Sequence, residues 1–165
     1  MSSGKSFVCK LGGFSDSNPE MVTMFPEFNL STKKLKEILF YCLPEGCQDN
    51  EFKITKYQNT NILSYVFRNP QKEDRDDLIS YSLLLEKIEN PEVYKEYLKV
   101  IFGKLRKHNM LNEEILLKNL EIIYDGLNKG KNILIEGINI KLSEIVQKSK
   151  ENEENTKPTL RGSFF

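Results

Sequence analysis

The sequence has no tryptophan, one histidine and three cysteines, and its 24 basic residues are cancelled by 24 acidic ones. Each scarcity removes a class of chemistry. His108 has no second imidazole to work with, so a three-histidine zinc site within one chain is excluded. It falls at the end of an expected helix, where contact with terminal carbonyls or solvent is the plain reading. Nucleophilic catalysis needs a positioned base, and the chain offers no other imidazole for that task. Cys9, Cys42 and Cys47 are odd in number and lack ligand spacing, which points to reduced thiols. The cancelled charge leaves no overall field to attract nucleic acid or an anionic membrane. No apolar run approaches the ~18 residues of a spanning helix. Residues 1–5 carry no signal-peptide apolar region. The expectation is a cytoplasmic chain without an integral membrane segment, peripheral to membranes only through partners. Its length suits one domain with one core, residues 5–148, and a charged tail, residues 149–165, expected to be disordered.

The remaining residues have a clear periodicity. Phe7, Cys9 and Leu11 alternate along a first strand, residues 7–11, closed by Gly12 and Gly13. Residues 21–25 form a second strand stopped by Pro26. Ser31 is placed to cap a helix, with Leu30 and Leu35 as a hydrophobic staple. Leu35, Ile38, Leu39 and Cys42 make its apolar stripe, and Pro44 with Gly46 ends it. A third strand, residues 51–57 with Phe52 and Ile54 inward, turns at Gln58-Asn59-Thr60-Asn61 into a fourth, residues 61–68. A polar loop leads to a fifth strand, residues 78–88. The alternation in these strands fits a sheet with one face buried and one partly wet.

Two helices then follow. Asn90 caps residues 91–107, with Pro91 at the first helical position and Glu92 complementing the dipole. Tyr94, Leu98, Ile101, Phe102 and Leu105 recur at helical spacing. Asn112 caps the next helix, whose stripe of Leu116, Leu120, Ile123 and Leu127 runs towards residues 128–130. Residues 132–149, with Ile138, Ile140, Leu142, Ile145 and Val146, read as an added C-terminal helix.

No catalytic constellation stands out. The glycines at 12 and 13 lack the lysine-serine pair of a phosphate loop and read as turn residues. Asp74, Asp76 and Asp77 could hold a divalent cation, but Lys72 and Arg75 compete for the same carboxylates, so a solvated, salt-bridged loop is preferred over a Mg²⁺ site. Tyr65 and Phe67 offer a stacking platform in form, but without a basic field they read as packed sheet residues. Lys33, Lys34 and Lys36 oppose the apolar stripe of the first helix. Solvation is their plain role, and an acidic or phosphorylated partner is the functional one. Leu160, Phe164 and Phe165 end the tail and are candidate anchors for an apolar groove, in cis or on a partner.

The resulting order, β-β-α-β-β-β-α-α plus a helix, resembles a longin domain. The resemblance sharpens at Met24-Phe25-Pro26, at Tyr41-Cys42-Leu43-Pro44-Glu45-Gly46, and at Leu63-Ser64-Tyr65-Val66-Phe67-Arg68 with Arg75 and residues 78–85 beyond it. These segments look like the upstream, longin-type part of DENN modules and span about residues 7–130. The resemblance implies an α+β fold, a five-stranded antiparallel sheet with one helix on one face and two on the other. It also implies a non-catalytic scaffold or subunit, without a cofactor, that binds a small GTPase or another longin- or roadblock-type subunit in trafficking. No DENN core follows within the 165 residues, so the resemblance carries the upstream part only. A self-associating roadblock-like homodimer is the alternative, and an enzyme with an unrecognised site the third reading. Neither nucleic acid nor a metal is expected.

Overall fold

A computed structural model describes residues 4–12, 18–27, 29–69, 77–86 and 89–143. Their order is β1 (Lys5–Leu11), β2 (Glu20–Phe25), α1 (Thr32–Cys42), β3 (Glu51–Tyr57), β4 (Thr60–Asn69), β5 (Asp77–Leu85) and α2 (Pro91–Lys107). Then come α3 (Glu113–Lys118), α4 (Leu120–Lys129), β6 (Ile133–Ile135) and β7 (Ile138–Ile140). The first five strands make one antiparallel sheet in the order β2-β1-β5-β4-β3, and β6 and β7 make a separate hairpin.

The caps act as their residue types dictate. Ser31 Oγ accepts from the Lys34 amide at 3.2 Å, Asn90 Oδ1 from Glu92 at 3.0 Å and Asn112 Oδ1 from Ile115 at 2.9 Å. Each satisfies an amide that the first helical turn leaves without an internal partner. Asn69, at the end of β4, takes the Glu113 amide at 3.0 Å and so anchors α3 to the sheet.

Strand alternation sorts the core into two clusters. Val8, Leu63, Tyr65, Phe67, Ile79 and Tyr81 pack with Leu98, Ile101 and Phe102 of α2, and with α4 and the hairpin. Phe7, Cys9, Ile62 and Val66 pack with Ile38 and Cys42 of α1. The reading of one partly wet face is corrected here, because Ser64, Ser80 and Ser82 on the α1 side are all fully buried. Ser64 and Ser82 share a hydrogen bond of 2.8 Å, and Ser64 Oγ also reaches the Tyr41 carbonyl at 3.3 Å. The Ser64 and Ser82 hydroxyls thus satisfy each other under α1, Ser80 Oγ is buried without a hydrogen-bond partner among the described residues, and the polar half of the alternation lies in a core.

Three further expectations change. The helix expected over residues 132–149 is instead the β6–β7 hairpin through residue 140, and residues 144–149 lie outside the described residues. Glu136 and Gly137 both take positive φ, 47° and 83°, the two-residue turn that joins tightly twisted strands. Ile133, Ile135, Ile138 and Ile140 are β-branched, which favours the pleated conformation. The helix begun at Asn112 breaks at Asn119, a buried residue whose side-chain amide donates to the Ile115 carbonyl at 2.9 Å. Ile54 faces the α2 side with Phe52, opposite Leu63, but lies at the open sheet edge and is 36% exposed rather than part of the core.

Candidate functional site

A concavity lies between edge strand β2 and the start of α1. Its volume is about 590 Å³, within the range of small-ligand and side-chain pockets. Met21, Met24 and Leu35 give it apolar walls, and Thr23, Glu27 and Asn29 supply polar groups.

A bulge builds this wall. Val8 faces Thr23 while Cys9 faces Met21, so Val22 is an extra residue without an opposite number on β1. In a regular strand Met21 and Met24, three residues apart, would point to opposite sides. The bulge turns both to the α1 side, where they pack against the core beneath α1. Unbranched methionine adapts its shape to varied partners. Among the described residues β2 pairs only with β1, which leaves its outer N–H and C=O groups beside the groove.

Lys33, Lys34 and Lys36 are all exposed, on the same first turns of α1 that give Leu35 to the groove. Glu27 is the carboxylate among the groove's lining residues, but that first turn carries no acidic residue, so its lysines add to the positive end of the helix dipole rather than offset it. A negative partner group would relieve both. Phe40, further along α1, is 64% exposed and stacks edge-on against Tyr41 at 5.8 Å. Of the first turns of α1 only Leu35 lines the groove; the three lysines are its exposed neighbours in sequence and are not among the lining residues. Leu160, Phe164 and Phe165 lie outside the described residues.

Charged groups elsewhere serve the fold. Lys10 Nζ bridges Glu113 at 3.1 Å and Asp77 at 3.5 Å, tying β1 to α3 and β5. Its pKa is raised, chiefly by the hydrogen bond to Glu113. Asp77 is mostly buried in this contact, while Lys72 and residues 74–76 lie outside the described residues. Arg106 clamps Asp49 at 3.0 and 3.3 Å and also donates to the Tyr65 hydroxyl at 3.1 Å. Burial pushes the Asp49 pKa up, but Arg106 and the Arg68 amide outweigh it and hold the carboxyl below its ordinary value.

The remaining candidates take structural places. Tyr65 and Phe67, weighed above as a stacking platform, are 1% and 0% exposed and belong to the ring pile with Phe102. His108 is the exposed C-cap of α2. The Cys9 thiol is buried against Cys42, and that contact and burial raise its pKa, which suppresses the reactive thiolate. Among the described residues no group of three or more His, Cys, Asp or Glu side chains is gathered as metal ligands would be. Among them, too, no helix is long and apolar enough to cross a membrane. A scan of protein-family models found none that matches this chain, and a search of curated proteins found no match either.

Proposed function

We propose that the chain is a non-catalytic protein-interaction module of longin type, a scaffold or subunit that binds a small GTPase or a trafficking-type complex. The observation that carries this reading is the groove between bulged edge strand β2 and the lysine-bearing start of α1. It combines adaptable apolar walls with a strand edge that has no strand partner among the described residues, and exposed lysines stand on the neighbouring helix turns, elements that a protein segment uses to dock. The first eight elements, β-β-α-β-β-β-α-α, with the five-stranded sheet support the longin comparison, and α4 with the β6–β7 hairpin are additional to it. In that comparison α1 covers one face of the sheet, and α2 with the helix after it covers the other.

The test is affinity capture with the wild-type chain and with a Lys33→Glu, Lys34→Glu, Lys36→Glu variant, each with and without a GTP analogue. Recovery of a small GTPase, or of another longin- or roadblock-type subunit, that is lost in the variant supports the module. Recovery of the same proteins by both baits removes the groove from the reading. A bait that captures only its own copies, with a doubled mass by light scattering, replaces the proposal with self-association.

A further inference from the structure

A second concavity, of about 440 Å³, lies away from the β2 groove, between β3 and α2. Its floor is a pile of rings. Phe52 lies 4.5 Å from Tyr65, and Tyr65 stacks on Phe102 at 4.8 Å. The opening exists because α2 carries a glycine there: a Cβ on Gly103 would meet nothing within 4 Å. Helix interiors disfavour glycine by about 1 kcal/mol against alanine, so this gap is kept at a cost to α2.

The rim is positive. Lys95 stands over the Phe52 ring at 5.9 Å, and Lys99 lines the concavity one turn further on. Among the described residues Lys99 pairs with Glu96, at 3.4 Å, and the two side chains are 48% and 54% exposed and therefore readily exchanged. Arg106 and Asp49 close one end as a satisfied pair. On β3, Phe52, Ile54 and Lys56 share the α2 side, since Tyr57 of opposite parity bonds Glu37 of α1. Ile54 and Lys56 are exposed. Among the described residues the outer edge of β3 has no strand partner.

We infer that the β3 edge and the α2 face together bind an extended acidic protein segment carrying one aromatic or branched aliphatic side chain. The segment adds a strand to β3, its apolar side chain fills the space over Gly103, and its carboxylates meet Lys95, Lys99 and Lys56. The positive rim selects the charge and the gap selects the anchor. Single-stranded nucleic acid is disfavoured by the same geometry. Tyr65 and Phe102 are 1% and 0% exposed, so Phe52 is the one partly open ring of the three, enough to flank a single anchor over Gly103 but not to stack successive bases.

The probe is a fluorescein-labelled heptapeptide of alternating Asp and Glu with a central Phe, titrated with the full chain and read by anisotropy. Companion probes replace Phe by Ala, replace the acids by Lys, or are an oligothymidylate of matched charge. Micromolar binding of the first probe is expected, weakened about tenfold or more by the Phe-to-Ala change and abolished by the lysine probe. Gly103→Leu fills the gap and should weaken binding by about tenfold or more. Far-UV circular dichroism checks its helix, and the Lys95→Glu, Lys99→Glu double variant tests the rim independently should Gly103→Leu fail to fold. No binding up to about 1 mM, equal binding by the charge-reversed variant, or tighter binding of the oligothymidylate would each overturn the inference.

Discussion

The hydroxyl of Tyr81 is fully buried at the centre of the sheet and has no hydrogen-bond partner among the described residues. Ser6, across the strand pair, commits its own proton to the Phe25 carbonyl at 2.7 Å and can meet the phenol only as an acceptor. Burial accordingly pushes the Tyr81 pKa well above the ordinary phenol value. A phenol that leaves water without a new partner loses hydration and gains nothing in return. Tyr81→Phe should therefore be neutral or stabilising, by about 0–1 kcal/mol, in urea denaturation. A loss of more than about 1 kcal/mol would mean that the hydroxyl has a partner after all. Asp49 is the opposite case. Its pKa is depressed in the folded chain, so the stability it contributes is present above the unfolded value of about 3.9 and lost as pH falls through the folded value. Asp49→Asn should cost about 1 kcal/mol at neutral pH, a figure discounted because the Arg106 side chain is 41% exposed. Stability curves of the two proteins should converge as the pH drops below about 4. A constant gap down to acid pH would assign the effect to packing instead.

At the scale of elements, what the sequence made legible depended on whether the deciding signal was local. Ser31, Asn90 and Asn112 announce helix starts because a cap acts within three residues of itself. The five strands of the sheet were readable for the same reason, with ends displaced by a residue or so except at β5, which stops at Leu85. The β6–β7 hairpin was not, since Ile138, Ile140 and Leu142 suit a helix stripe and a strand equally over so short a span. The Glu136-Gly137 turn decides, and its worth comes from packing against α4. Nor did any residue announce the Val22 bulge, which comes from pairing with β1, so the methionine wall of the candidate groove was invisible. Gly126 records the α4–hairpin contact directly. A Cβ there would collide with Ile133 Cγ2, and Ile133 is 4% exposed and has nowhere to retreat. Gly126→Ala should cost about 1–3 kcal/mol despite alanine's better helix propensity. A gain in stability would show that the hairpin is free to move off α4. Gly103→Ala, on the open side of α2, should by contrast stabilise by a few tenths to about 1 kcal/mol.

Over the whole molecule, the sheet is a shared wall rather than the floor of one core. β4 sends Leu63, Tyr65 and Phe67 to the α2 side and Ile62 and Val66 to the α1 side, all of them buried. Neither layer of helices can leave without stripping one face of the same strands. The candidate surfaces lie at the two ends of this wall, on β2 and β3, so a partner at either edge pulls on a strand that reaches both cores through its neighbours. Unfolding should therefore be a single transition. Ile38→Val removes a methyl group beneath α1 and should cost about 0.5–1.5 kcal/mol, and Leu98→Ala opens a cavity beneath α2 and should cost about 2–5 kcal/mol. The two side chains lie in separate clusters, and the costs should add to within about 0.5 kcal/mol in the double variant. Helix content by circular dichroism and the tyrosine fluorescence of a chain without tryptophan should report the same midpoint in every variant. If Leu98→Ala instead separates the two signals, α2 detaches while α1 holds the sheet. Occupation of the β3–α2 concavity could then be felt locally but would not be transmitted to the β2 groove.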